Sequence, residues 1–107
     1  MSVILARIQE LLAKGEVRVS EHGYDELAAD RIHVRDAIDG VRKAQVVEEY
    51  PEYPKGPCIL VREEDEDGKP FHVVWGIPRG LSSPAVIVTA YRPDPELWAS
   101  DFLRRRG

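Results

Sequence analysis

Apolar side chains in the N-terminal part of the chain recur at the spacing of a helix. Ser2 and Ser20 stand where helix N-caps are expected, and Gly15 can end the first helix. A short extended piece at 17–19 separates it from a second helix over 21–30, and a third helix follows. The apolar positions with this spacing are Ile4, Ile8, Leu11, Leu12, Leu27, Ala37, Ile38 and Val41.

From Gln45 onward the pattern changes to the short apolar runs that are typical of strands. Strands are predicted at 59–63, 71–75 and 86–91, after a first strand that opens near Val46. The Asp67-Gly68 pair between two of these runs is a hairpin signal. The run AVIVTAY is apolar on both faces, which indicates a strand inside the sheet.

Beyond the last strand, Pro95 can begin a short C-terminal helix with Leu97, Trp98 and Phe102 on its apolar side. The order of elements, helices, then four strands, then a helix, predicts an α+β fold. We therefore expect N-terminal helices packed on one side of a mostly antiparallel four-stranded sheet. The whole chain, residues 1–107, is predicted to form a single domain.

Composition and charge exclude several classes of protein. The chain is 43% hydrophobic and 32% charged, as ordinary globular domains are, and its formal net charge of −4 gives no broad attraction for nucleic acid or anionic lipid. No apolar run approaches the roughly 20 residues of a membrane span, and the N-terminus lacks a basic leader. A lone cysteine, Cys58, excludes an internal disulfide. We therefore expect a cytoplasmic protein that does not engage a membrane.

The stretch EEYPEYPKGPC at 48–58 joins two predicted strands. Prolines bias Tyr50 and Tyr53 toward extended conformations, and Gly56 allows a bend, so a flexible interdomain linker is not expected. One interpretation is a stiff connection whose tyrosines cover the sheet. The other is a binding rim that presents Tyr53 and Lys55 to a ligand, because such loops often carry binding residues.

Side chains with obvious chemistry are few. No phosphate-binding glycine loop, zinc-binding cysteine pair or serine nucleophile motif occurs, so no cofactor is predicted. The three histidines and Cys58 lack ligand spacing, which argues against a metal site. His22 begins the second helix, where it can move a proton or simply lie at the surface. His33 is predicted to be a structural cap.

His72 interrupts the apolar strand FHVVWGI. A histidine there either has a hydrogen-bond partner in the core or does acid–base work on an open sheet face. If the strands adjoin, we expect His72, Tyr91, Arg92 and Arg62 to share one exposed concavity, with His22 at its edge. Arginines suit a phosphodiester, and histidine or tyrosine can move a proton. The predicted catalytic residues are therefore His72, Tyr91 and His22, while Arg92 and Arg62 are predicted to bind the substrate.

Two charged runs have simple structural explanations. The acidic run at 63–67 is predicted to be a solvated hairpin tip, which would repel a nucleic acid locally. The three arginines at 104–106 suit the end of a C-terminal helix through its dipole. Neither run requires a functional role.

Four segments, in this order, resemble the bacterial domain-of-unknown-function 4258 family: VSEHGYDELAADRI, VRDAIDGVRKAQVVEEYPEYPKGPCILV, GKPFHVVWGI and AVIVTAYRPDPELW. The resemblance covers about residues 18–98. His22, His72, Thr89, Tyr91 and Arg92 fall at places that recur in the family. The chain departs from the pattern at 25–27, where it has Asp-Glu-Leu and many members have an Arg-Met pair.

The resemblance implies a small fold similar to the RelE-like and BrnT-like toxins, with helices on a curved antiparallel sheet. It also implies the toxin half of a toxin–antitoxin pair, with a zinc-finger antitoxin similar to the YgiT type as partner protein. The activity expected from it is RNA binding or RNA cleavage by a metal-independent endoribonuclease.

Two other functions stay open at this point. One is a non-catalytic protein-interaction domain that docks a partner through its sheet or its proline loop, which the net acidity and the departure at 25–27 favour. The other is a small-ligand binder with an aromatic pocket built from Tyr53, Trp75 and Tyr91. The sequence leaves the substrate and the oligomeric state undetermined.

Overall fold

The computed structural model describes residues 2–107. Three helices precede most of the strands, and a 3₁₀ turn (Val41–Lys43) leads from the last helix into the sheet. The elements are α1 (Val3–Ala13), β1 (Val17–Val19), α2 (Glu21–Ala29), α3 (Val34–Gly40), β2 (Gln45–Tyr50), β3 (Cys58–Glu64), β4 (Pro70–Gly76) and β5 (Ala85–Tyr91). The predicted α+β fold is confirmed.

The helix ends follow from the residues that the sequence places there. The Ser2 side chain accepts a hydrogen bond from the Leu5 N–H at 3.0 Å, and Ser20 accepts one from Gly23 at 2.9 Å. These bonds satisfy N–H groups that have no partner inside a helix. Gly15 ends α1 with a φ of 74°, a left-handed conformation that glycine adopts without strain. The predicted Ser2 and Ser20 caps are therefore confirmed, whereas His33 stands at the N-cap position of α3 without a side-chain hydrogen bond.

The sheet is mixed and has five strands in the order β1-β5-β4-β3-β2. The strands β2 to β5 pair antiparallel, as in the predicted mostly antiparallel four-stranded sheet, but the predicted number of strands is wrong, because β1 joins the edge of the sheet parallel to β5. Its partner residues lie far away in the chain, with Val17 opposite Ala85. Local spacing indicates an extended piece at 17–19, but it carries no information about a pairing over that separation.

The predicted C-terminal helix is wrong. Residues 93–107, here called the C-terminal segment, form turns and a bridge between Trp98 and Arg105. Two side chains compete with helix formation by bonding to nearby backbone: Asp94 accepts from the Glu96 N–H and Asp101 from the Leu103 N–H. A positive φ of 58° at Phe102 also breaks any helical path there.

The sheet has two differently covered faces. The helix face packs against the helices and forms the core with Ile59, Val61, Phe71, Val73, Trp75 and Ile87. Because side chains alternate along a strand, their neighbours point to the opposite side, here called the second face. The second face carries Leu60, Arg62, His72, Val74, Thr89 and Tyr91.

The proline loop packs beside the sheet, as predicted. Its backbone is bonded to the segment after β4, with the Ile77 N–H donating to the Pro57 carbonyl and the Arg79 N–H to the Lys55 carbonyl. Gly56 is buried there, and a Cβ at that position would lie 2.0 Å from the Ile77 carbonyl oxygen. The loop is therefore a pinned connection between two strands.

Within residues 2–107, no helix is both long enough and apolar enough to cross a membrane.

Candidate functional site

His72 lies in β4 on the second face and is fully buried. Its Nε2 is 2.7 Å from the carbonyl oxygen of Phe102, which can only accept, so Nε2 carries the proton. Nδ1 is then the acceptor, and the Tyr91 hydroxyl, 3.3 Å away, donates to it. The imidazole is therefore in one defined neutral form, with its lone pair facing Tyr91.

The C-terminal segment covers this histidine. The Trp98 ring meets the imidazole edge-on, with ring centroids 4.5 Å apart, and Phe102 supplies the carbonyl bond. The Arg105 guanidinium lies 4.8 Å from the Trp98 ring centroid. The exposed concavity predicted around His72 is consequently not open in this conformation, because these side chains fill it.

The surroundings hold the two groups in complementary protonation states. Burial lowers the pKa of His72 below its ordinary value of 6.5, and the positive charges of Arg62 and Arg105 lower it further. Burial raises the pKa of the Tyr91 hydroxyl above 10.0. At neutral pH the pair therefore combines a proton acceptor with a proton donor.

Arg62 lies directly opposite His72 in the antiparallel register of β3 and β4. Its guanidinium donates to Glu64 at 2.9 Å and to Gln45 at 3.2 Å, while its buried Nε has no hydrogen-bond partner. The predicted proximity of Arg62 to His72 is thus realised. The guanidinium is partly neutralised by Glu64.

A second charged group beside this site was not predicted. Arg105 donates to both carboxylate oxygens of Glu48, at 2.9 and 3.3 Å, and the Tyr50 hydroxyl donates to the same carboxylate at 2.8 Å. These bonds hold the pKa of Glu48 below its ordinary value. The sequence did not predict this contact, because it indicated that Arg105 would lie at the end of a C-terminal helix that the structure does not contain.

Arg92 and His22 do not join the His72–Tyr91 pair. The Arg92 guanidinium contacts Asp65 at 2.8 Å and lies 5.6 Å from the ring of Phe71, a residue of the helix face. His22 lies in α2, which packs on the helix side of the sheet, and its side chain is exposed beside Glu26. The predicted convergence therefore holds for two of its residues with Arg62 at the edge.

The remaining predicted binding residues lie elsewhere. Tyr53 and Lys55 are exposed in the proline loop, next to the start of β3, whereas Arg62 and His72 lie near its other end. The aromatic pocket suggested for a small ligand does not form, because Trp75 is fully buried on the helix face and Tyr91 belongs to the second face.

Glu63 departs most clearly from its predicted environment. Rather than lying in a solvated hairpin tip, it belongs to β3 and is 2% exposed on the helix face. Its Oε2 accepts a hydrogen bond from the Trp75 indole N–H at 2.9 Å, and its Oε1 has no partner. Burial raises the pKa of this carboxyl to about 8, so it is largely protonated at neutral pH.

This carboxyl makes stability depend on pH. Because the folded-state pKa lies above the ordinary 4.5, its contribution is complete below that value and is lost as pH rises through about 8. We expect Glu63 to cost about 2 kcal/mol of unfolding free energy between pH 6.5 and 8.5, from 1.36 kcal/mol per pH unit. Urea unfolding of the wild type and Glu63→Gln at both pH values measures this difference. Equal pH dependence of the two proteins would contradict it. Because the pKa of His72 is lowered, its titration reduces stability only as pH falls below its ordinary value of 6.5.

Within residues 2–107, no three histidine, cysteine or acidic side chains are grouped so that they could hold a metal ion. The three histidines lie in different parts of the fold, one in α2, one before α3 and one in β4.

Comparison with known proteins gives a family match that covers most of the chain. The profile of the family described as "Domain of unknown function (DUF4258)" matches residues 19–92. No curated protein and no solved structure matches the chain significantly. The matched range ends one residue after β5 and therefore stops before the C-terminal segment that covers His72.

Proposed function

The chain belongs to the DUF4258 family, and we propose that it is a toxin-like protein that binds and cleaves RNA without a metal ion. One observation carries this proposal. A neutral imidazole and a protonated phenol are paired on the second face of the sheet, with the positive charges of Arg62 and Arg105 beside them. Paired proton acceptors and donors next to arginine suit a phosphodiester.

The pair supplies both proton transfers that RNA cleavage requires. His72 Nδ1 takes the proton of a ribose 2′-hydroxyl, whose oxygen then attacks the adjacent phosphorus. The bond from phosphorus to the 5′-oxygen breaks, and Tyr91 donates the proton that this leaving oxygen needs. The products are a 2′,3′-cyclic phosphate and a 5′-hydroxyl. Each positioned acid or base typically contributes 10²–10⁴-fold.

Arginine stabilises the charge that develops on the phosphate. Arg62 is the better placed of the two, because it lies in β3 opposite His72 and keeps this position when the C-terminal segment moves, whereas Arg105 belongs to that segment. Its partner Glu64 would have to be exchanged for phosphate, a substitution that keeps the guanidinium paired with an oxyanion.

Substrate access requires the C-terminal segment to move. This segment provides the Phe102 carbonyl and the Trp98 ring that now bury the imidazole. Few buried side chains hold it, Pro93 and Trp98 being the buried residues among 93–107. Local opening of such a segment costs less free energy than global unfolding, so the covered state is compatible with activity.

The expected partner follows from the same proposal. A RelE-like toxin fold and a zinc-finger antitoxin are expectations drawn from the family resemblance, and they belong to this functional proposal. A small antitoxin would be encoded beside this chain and would bind it tightly enough to suppress cleavage.

Incubation of the purified protein with structured and single-stranded RNA in excess chelator tests the activity. We expect cleavage that leaves 2′,3′-cyclic phosphate ends, which are identified by their mass and by the resistance of the new 3′ ends to end-labelling. If neither free RNA nor ribosome-bound RNA is cut, the ribonuclease proposal fails.

A second function, a non-catalytic protein-interaction domain, is favoured by a specific observation. His72 is fully buried, and Arg92 and Arg62 are both engaged in ion pairs within the chain. In that case His72 serves to fix the C-terminal segment. Tight complex formation with a neighbouring gene product, without any RNA cleavage by the free protein, would select this function.

A further inference from the structure

The C-terminal segment lies on the second face, whereas α1, α2 and α3 pack on the helix face. Its backbone hydrogen bonds are internal: the Ala99 N–H donates to the Arg104 carbonyl and the Arg106 N–H to the Leu97 carbonyl. Within residues 2–107, no backbone–backbone hydrogen bond joins 93–107 to the rest of the chain. The segment can therefore leave the sheet without breaking a strand or a helix.

Side chains attach the segment to the sheet. The Phe102 carbonyl accepts from His72 Nε2 at 2.7 Å, and the Trp98 ring meets the imidazole edge-on. Farther along, the Arg105 guanidinium donates to both carboxylate oxygens of Glu48, at 2.9 and 3.3 Å. Glu48 belongs to the edge strand β2, so this ion pair ties the end of the segment across the sheet.

The run of three arginines at 104–106 needs a new explanation, because the helix whose dipole they were predicted to complement does not form. Arg104 is 80% exposed and lies 3.9 Å from Asp101, a residue of the same segment. Arg106 donates to the Pro95 carbonyl, also within the segment. Of the three, Arg105 is the one whose side chain bonds to the sheet, and it is therefore the anchor.

We propose that the C-terminal segment is an autoinhibitory strap, which the ion pair between Arg105 and Glu48 latches over His72. The Tyr50 hydroxyl donates to the same carboxylate and holds it in place for the arginine. The regulatory consequence rests on the proposed RNA cleavage, since the closed strap withholds the imidazole from a ribose hydroxyl. The strap itself is a property of the structure that can be measured without RNA.

This ion pair is strong enough to bias the segment and weak enough to open. The Arg105 side chain is 59% exposed and that of Glu48 is 35% exposed. Exposed ion pairs change an equilibrium by a factor of about five at most. Breaking this one should therefore raise the population of the open strap about fivefold and leave the sheet folded.

Modification of His72 by diethyl pyrocarbonate, which reacts with neutral imidazole, measures the opening. His22 and His33 are exposed and serve as references within the same molecule, with all three rates obtained by mass spectrometry of peptides. When the strap closes faster than the reagent reacts, the rate at His72 is proportional to the open population.

Charge reversal on either side of the latch is the decisive change. We expect Glu48→Arg and Arg105→Glu each to raise the rate at His72 about fivefold or more, with the rates at His22 and His33 unchanged. The double variant Glu48→Arg/Arg105→Glu restores opposite charges and should return within about twofold of the wild type. Arg104→Glu, the same charge change one residue away, is the matched control and should have no effect.

The latch is contradicted if neither single reversal changes the rate at His72, if Arg104→Glu raises it equally, or if the double variant stays as reactive as the single ones. Low concentrations of urea, below the unfolding transition, distinguish local from global opening. Modification through the strap should depend little on urea, because little surface is exposed. A rate that rises with urea as steeply as global unfolding does would also overturn the strap.

RNA cleavage by Glu48→Arg separates the strap from the proposed function. At saturating RNA, this variant should cleave faster than the wild type by about the factor found for its histidine modification. If neither protein cleaves RNA, the ribonuclease proposal fails, and the modification rates alone decide whether the strap exists. Cleavage by the wild type together with unchanged modification rates in the variants would overturn the strap and leave the ribonuclease proposal intact.

Discussion

Replacing Trp98 with alanine is expected to lower the free energy of unfolding by about 3–5 kcal/mol, the range for removing a buried aromatic side chain. Trp98 is 6% exposed although it lies in a segment without helix or strand. It packs against the His72 ring and under the Arg105 guanidinium. Urea unfolding of the variant, with Leu97→Ala as matched control, measures this effect.

Leu97 is adjacent in sequence but 62% exposed, so its replacement should cost no more than about 0.5 kcal/mol. A second readout follows from the burial of His72. Removing the Trp98 ring relieves the desolvation that lowers the pKa of His72, so this pKa should rise toward its ordinary value in an NMR titration. Equal stability losses in the two variants, with an unchanged histidine titration, would show that the C-terminal segment does not pack on the sheet.

Local features of the fold were predictable because each depends on a few neighbouring residues. Ser2, Ser20 and Gly15 mark helix ends through their own side chains or backbone, and the structure confirms all three. The pairing of β1 with β5 was not predictable in this way, since a three-residue strand has too little pattern to specify a distant partner.

Two polar residues show why the candidate site was only partly predictable. Glu63 sits in an acidic run that reads as a solvated turn, yet the alternation of β3 points its side chain into the core, where Trp75 and Gly40 accommodate it. Arg105 reaches the His72 site because Asp94, Asp101 and a left-handed Phe102 redirect the chain. Helical spacing of apolar residues cannot reveal such local competition.

The pairing of His72 with Tyr91 was predictable, because they lie on the same face of the sheet in two neighbouring strands, and the antiparallel register brings them opposite each other. Their burial was not predictable, since it depends on a segment whose conformation the sequence pattern misassigned. This difference decides how the ribonuclease proposal must be tested: a variant has to remove the chemistry of His72 without removing its structural bonds.

His72→Gln meets that requirement. The glutamine amide nitrogen can donate to the Phe102 carbonyl and its oxygen can accept from Tyr91, so both hydrogen bonds of His72 have a counterpart. A neutral amide cannot accept a proton at neutral pH. We therefore expect the variant to unfold within about 1 kcal/mol of the wild type and to cleave RNA 10²–10⁴-fold more slowly, the usual contribution of a general base.

The most direct measurement is the single-turnover rate of RNA cleavage in excess chelator for the wild type, His72→Gln and the control His33→Gln. His33 is exposed and precedes α3, away from the second face. The account predicts cleavage by the wild type and His33→Gln at similar rates and a loss of at least about a hundredfold in His72→Gln. Equal rates in all three proteins would contradict it.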